Sequence, residues 1–232
     1  MDTMHRGSSN NMQEPKNIQT LYERWFTKYA DIVNSVPLEL PPLRAINHCI
    51  PLISDNKWYH YHLPHCPDTM KLQLMEKLWQ YIKVGWWIPK MASQAAPLLC
   101  IPKKSGKLRT VVDCHQRNDN TVKDMTLFPD YDQIQMDVAR AKFRSKIDVS
   151  NAYEQICIEP EDIHKTAFAL VFETWESNVM QQGDCNGPAT FQCLMVKIFC
   201  DTLGIQVHIY LNDIFIFSYT LEDHERDLEY VF

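Results

Sequence analysis

Three features of the sequence predict an α+β fold. Residues 69–84 place Leu74, Met75, Leu78, Trp79 and Ile82 at the 3.6-residue period of a helix. Ile205, Val207, Ile209 and Leu211 alternate with Gln206, His208, Tyr210 and Asn212, after which Ile214-Phe215-Ile216-Phe217 is wholly apolar, as in a buried strand. Residues 97–102 and 108–113 bracket Ser105-Gly106, a turn signal between two strands.

Taken in order, residues 1–39 read as a tail and linker, with a helical stripe from Leu21 to Val33 and then a proline-dense break at 36–42. Residues 46–63 read as extended. The 69–84 helix is capped by Asp68 or Thr69 and stopped at Gly85. Short strands are predicted at 143–149, 156–158 and 166–172. Pro188 opens a helix expected to reach Leu203, with Gly204 as its stop. Asn212-Asp213 is the predicted hairpin turn, and a last helix begins near Leu221.

Composition narrows the function classes. The chain has 232 residues, 45% apolar and 22% charged, which is ordinary globular usage. Its 23 basic and 29 acidic residues give a net charge of −6, which argues against coating nucleic acid by bulk positive charge. Locally the balance reverses: Lys83, Lys90, Lys103, Lys104, Lys107 and Arg109 occur with no acidic residue between them. No apolar run approaches the ~20 residues of a membrane span. Eight cysteines lie scattered with no C-x-x-C pair, so reduced, buried thiols are expected rather than a disulfide framework.

Two groups of side chains suit metal chemistry. Asp148 ends an apolar strand and Asp213 sits at the hairpin, and paired carboxylates at neighbouring strand ends attract hard divalent cations. From spacing alone, such an Asp is more often a cap or turn former. His60, His62, His65 and Cys66 place four possible zinc ligands within seven residues, without a second pair at finger-like spacing.

From Leu40 to Phe232 the motifs, in order, resemble the reverse transcriptase domain of gypsy-type LTR retrotransposons. The resemblance rests on Pro41-Pro42-Leu43-Arg44 with His48-Cys49-Ile50-Pro51-Leu52, on Gly85-Trp86-Trp87-Ile88 with Ala96-Pro97, and on Lys103 to Arg109 with Val112-Asp113. It continues through Ser145-Lys146-Ile147-Asp148 with Ala152-Tyr153, through Asp162 with Lys165-Thr166-Ala167-Phe168, and through Asn186 with Pro188 to Gln192. It closes at Ile209 to Ile214, aligned with a Tyr-x-Asp-Asp hairpin, and at Ser218, Leu221, Glu222 and His224. The resemblance implies a fingers–palm architecture over 40–232, with a ferredoxin-like antiparallel palm sheet backed by helices and the thumb absent. It implies template-directed DNA synthesis by nucleotidyl transfer with two Mg²⁺ or Mn²⁺ ions. The implied partners are an RNA or DNA template with primer and deoxynucleoside triphosphates, with no membrane.

By position, Asp148 resembles the first metal ligand, Val149 offers a backbone carbonyl, and Asp213 a further carboxylate. Lys103 and Arg109 fall where the incoming triphosphate is held, Tyr153 where the sugar 2′ carbon is sensed, and Gln182 where a residue packs on the nucleotide. The departures are equally specific. The first hairpin Asp is Asn212, a neutral amide that ligates Mg²⁺ more weakly. The expected Pro-Phe-Gly-Leu is Gln181-Gln182-Gly183-Asp184, and the expected Arg-x-Leu-Asn-Lys is His115-Gln116-Arg117-Asn118-Asp119, a change expected to bury no charge. These changes, together with an early end to the chain, predict an impaired polymerase. The alternatives are a non-catalytic nucleic-acid-binding remnant, or zinc binding through His60, His62, His65 and Cys66.

Overall fold

The computed structural model describes residues 17–33, 39–59, 61–62, 64–171 and 173–232. In chain order the elements are α1 (Asn17–Lys28), α2 (Ala30–Val33), α3 (Lys71–Lys83), β1 (Trp87–Pro89), β2 (Ala96–Pro102), β3 (Leu108–Val112), α4 (His115–Asp119), α5 (Tyr131–Arg140), β4 (Phe143–Asp148), β5 (Phe168–Ala169), β6 (Thr174–Ser177), α6 (Gly187–Ile198), β7 (Val207–Tyr210), β8 (Asp213–Ser218) and α7 (Leu221–Val231). They form two compact units. One comprises the described residues of 38–128 and 151–197, and the other those of 1–37, 129–150 and 198–232. Among the described residues, no helix is long and apolar enough to cross a membrane.

The first unit is built on a five-stranded sheet of order β1-β6-β5-β2-β3, antiparallel except for the β2–β5 pair. Its core is aromatic. Trp86 is fully buried, with Tyr81 edge-on at 4.8 Å, and Trp87 meets Phe168 at 4.8 Å. Burying an indole removes enough apolar surface to contribute roughly 4–6 kcal/mol of transfer free energy. The Trp86 Nε1–H would cost part of that if unpaired, and it donates to the Glu39 carbonyl at 2.8 Å. Helix α3 buries Leu74 and Tyr81 against this core, while Leu78 and Ile82 pack at its margin. Met75 and Trp79, expected on the same face, are exposed, because each lies about 100° round the helix from a core-facing neighbour.

The second unit is built on a three-stranded antiparallel sheet of order β4-β8-β7. Strand β8 is central, which explains its unbroken apolar run. Helix α7 is capped by Thr220, whose hydroxyl accepts from the Asp223 N–H at 3.1 Å. It lies on the sheet face carrying Ser145, where His224 meets Ser145 Oγ at 2.9 Å and Ser218 Oγ at 3.0 Å. Helix α5 lies over His208 and Tyr210, with Tyr131 edge-on to Tyr210 at 5.2 Å and Asp137 2.9 Å from His208. Helix α1 joins α7 through the Arg24–Glu225 pair and through Lys28–Glu229 at 2.8 Å.

Several elements differ from the sequence expectation. Cys157 and Ile158 make isolated bridges, not a strand, and among residues 166–171 only β5 is strand because Thr166 ends a 3₁₀ helix over Pro160–Thr166; Phe172, the expected end of that strand, lies outside the described residues. Helix α6 stops at Ile198, and turns carry the chain to Gly204. Helix α5 is absent from the sequence expectation; the signals that would have found it are Asp130, whose carboxylate caps it by accepting from the Asp132 N–H at 2.9 Å, and the Ile134/Val138 spacing. All eight cysteines are free, but Cys49, Cys193 and Cys200 are exposed rather than buried.

Two buried histidines make stability depend on pH. Burial lowers the pKa of His48, against the opposing pull of Asp184, and lowers that of His224 against Asp227. A histidine whose folded pKa is depressed contributes stability that is present above the unfolded value of about 6.5 and lost as pH falls through the folded pKa. The melting midpoint is therefore expected to fall between pH 7.5 and 5.5. His224→Gln should flatten that dependence; an unchanged slope in the variant would remove His224 from the account.

Candidate functional site

The β7–β8 hairpin closes through a two-residue turn, Leu211-Asn212, rather than the expected Asn212-Asp213. The shift of one residue follows from Leu211, whose φ of 55° places it in the left-handed region where non-glycine residues are uncommon. Asp213 thereby becomes the first residue of β8, in register with Tyr210 on one side and Asp148 on the other. Directly opposed residues of an antiparallel pair share a face, with Cα atoms roughly 4.5–5.5 Å apart. The two carboxylates therefore share one side of the sheet.

Each carboxylate has a partner within this unit. Asn212 Nδ2 donates to Asp148 Oδ1 at 2.7 Å, and the Val149 N–H donates to the Asn212 carbonyl at 2.9 Å. Lys146, two residues before Asp148 on the same strand face, reaches diagonally to Asp213 Oδ2 at 2.7 Å. The turn thus brings Asn212, not Asp213, against Asp148. Asp148 and Asn212 are exposed, and Asp213 is half-buried. Among the described residues, no group of three or more His, Cys, Asp or Glu side chains is placed to hold a metal. The oxygen donors at this turn are therefore two carboxylates, an amide and backbone carbonyls.

The other candidate residues lie in the five-stranded unit. Lys103 and Arg109 stand on the β2–β3 hairpin. The register pairs Ile101 with Arg109, and the Lys103 N–H donates to the Lys107 carbonyl at 2.9 Å. Lys103, Lys107 and Arg109 consequently share one exposed face, so Lys107 joins the two positions picked from sequence. Period-two counting back from Arg109 would have found it. The opposite face of the hairpin meets α3, where Lys77 Nζ donates to the Thr110 hydroxyl at 2.6 Å.

Tyr153 begins a 3₁₀ turn and is half-buried, which raises its pKa. Its ring lies against the start of α6, where a Cβ on Gly187 would meet it at 3.2 Å. Gln182 is half-buried in the turn before α6, next to Gly183 at φ +117°. Among the zinc candidates, His62 and His65 are exposed, Cys66 is buried with its thiol toward the Pro67 carbonyl at 3.6 Å, and His60 lies outside the described residues.

Arg117 is buried, against expectation. Its guanidinium pairs with Asp184 and donates to the Gln181 Oε1 at 3.1 Å and the Lys165 carbonyl at 2.8 Å. Burial works against its charged form, but the Asp184 carboxylate outweighs burial and raises the pKa above the usual arginine value.

Residues 101–232 match the family model described as reverse transcriptase (RNA-dependent DNA polymerase). The retrovirus-related Pol polyprotein from transposon 297 of Drosophila melanogaster is 28% identical over 193 residues, covering 81% of this chain and 18% of its own length. The transposon Tf2-3 polyprotein of Schizosaccharomyces pombe is 28% identical over 225 residues, covering 95% of this chain and 16% of its own. The chain thus spans less than a fifth of these curated relatives. The foamy viral protease–reverse transcriptase, solved in complex with an RNA/DNA hybrid, superposes with a TM-score of 0.78 over 92% of this chain and 28% of its own, at 20% identity. At that identity the likeness establishes the fold, a reverse transcriptase fingers–palm arrangement of mixed helices and antiparallel sheets.

Proposed function

The chain belongs to the reverse transcriptase (RNA-dependent DNA polymerase) family, and from that premise we propose that it is the fingers–palm part of a gypsy-type retrotransposon polymerase whose nucleotidyl transfer is impaired by Asn212. The observation that carries this reading is the 2.7 Å bond from the Asn212 amide to Asp148. It occupies the carboxylate that the family resemblance makes a metal ligand, with a donor that contributes no charge.

Asp148, the Val149 carbonyl and Asp213 would hold a divalent cation, Mg²⁺ or Mn²⁺, whose contribution when bound is to stabilise charge on phosphate oxygens. These donors suit one ion. A second ion lacks the carboxylate that an aspartate at 212 would supply. The roles of the remaining residues follow the chemistry of the substrate. Lys103 offers a point charge and Arg109 a planar fork for the triphosphate of a deoxynucleotide. Tyr153 presents an aromatic edge to the sugar 2′ carbon, and Gln182 packs on the nucleotide.

The second reading, a non-catalytic nucleic-acid-binding remnant, is favoured by one observation. The Lys103, Lys107 and Arg109 face is exposed, and none of the three is in an ion pair among the described residues. Fluorescence anisotropy with a labelled RNA/DNA primer–template separates the possibilities when run alongside primer extension. Binding should weaken linearly with log salt, and Lys103→Ala with Arg109→Ala should lower that slope by about 1–2. Binding without extension supports the remnant reading. No binding at 50 mM salt would refute both (about 50 mM being the low end at which phosphate contacts are strong).

A further inference from the structure

The two departures that the sequence shows around 117 and 184 meet in space. Arg117 and Asp184 are 67 residues apart, yet their side chains form a buried ion pair, each with about 4% of the side chain exposed. The family resemblance leads to an expectation of leucine at both positions, within Arg-x-Leu-Asn-Lys and Pro-Phe-Gly-Leu. Among the described residues, Arg117 without Asp184 is a buried charge with no counter-ion, and Asp184 without Arg117 keeps only His48, 3.5 Å away, so either change alone is strongly destabilising, while together they neutralise each other.

The pair lies within a dense set of fastenings between α4 and the 181–186 turn. Asn118, next to Arg117, donates through Nδ2 to the Gly183 carbonyl at 2.7 Å and accepts at Oδ1 from the Cys185 N–H at 3.0 Å. Gln181, which accepts from Arg117, donates in turn to the Thr166 carbonyl at 3.1 Å. The residues on both sides of Gln182 are thus held by α4, while Gln182 sits between them.

We propose that Arg117 and Asp184 form one charge-locked joint that positions the 181–186 turn. The two departures are then a coupled exchange, not two independent losses. Arg117 and Asp184 are positioning residues: they set where Gln182 stands. Any effect on nucleotide binding rests on the reading of Gln182 given above, whereas the joint does not.

The test compares thermal melts of the full chain with Arg117→Leu, Asp184→Leu and the double variant, alongside hydrogen exchange of peptides across 178–188. Each single variant should lower the midpoint by roughly 6–20 °C, the shift that follows from stranding a buried charge in a chain of this size. The double variant should recover at least half of that loss. If a leucine single variant fails to fold, the double variant should still fold, and Asp184→Asn supplies a milder single. At temperatures matched to each midpoint, exchange at 181–186 should quicken at least tenfold in the singles, with β2 and β3 unchanged. Additive losses in the double variant would overturn the joint, and uniform exchange across the unit would overturn its positioning role.

Discussion

Asn212→Asp is expected to turn a weak Mg²⁺ site into a markedly tighter one. Without the ion, the variant loses the amide–carboxylate bond and places a second carboxylate beside Asp148. That costs about 1–2 kcal/mol, or roughly 2–8 °C in the midpoint. With millimolar Mg²⁺ the midpoint should recover, because one added negative charge strengthens binding of a dication by about 10–100-fold in a solvent-exposed setting. Titrating Mg²⁺ against the melting midpoint of both chains checks this. Superimposable curves would mean that position 212 does not govern the ion, and the proposed cause of impairment would fall.

Gly183→Ala is expected to be the most damaging of the small substitutions. The glycine adopts φ +117°, and an added Cβ would lie 2.9 Å from the Val112 carbonyl oxygen, backbone that cannot turn aside. Strain and displacement together should cost about 2–4 kcal/mol, lowering the midpoint by roughly 5–15 °C. Gly106→Ala is the control. It shares a positive φ of +77° but meets nothing within 4 Å, so only the conformational penalty of about 1 kcal/mol applies. If the Gly106 variant proves the less stable of the two, the close approach to Val112 is not the cause.

The parts of the fold that could be read from sequence were those written in short periods. The β7–β8 hairpin and the hairpin over β2 and β3 follow from alternation, and α3 from its 3.6-residue stripe. The hairpin turn was misplaced by one residue because Leu211 takes a left-handed conformation that its residue type disfavours. That single shift decides which side chain faces Asp148. Trp79 belongs to the apolar stripe of α3 yet is exposed, because periodicity identifies a stripe but not how wide a stripe the neighbouring sheet covers. Arg117 was read as unburied because its partner lies 67 residues away, and local pattern carries no information about such a pairing. The family resemblance named Lys103 and Arg109, and the strand register then added Lys107 to their face.

The composition of the sheet unit also has a temporal consequence. Its strands come from both sides of a long intervening stretch: β4 ends at Asp148, and its partner β8 begins only at Asp213. During synthesis, β4 would leave the ribosome and wait for more than sixty residues before its hydrogen-bonding partner existed. The five-stranded unit, complete by Lys197, has all of its strands available earlier. At roughly 5–20 residues per second, that interval exposes the apolar side of β4 for several seconds. A nascent chain paused between 150 and 207 should therefore be the species most prone to capture by chaperones or to premature aggregation.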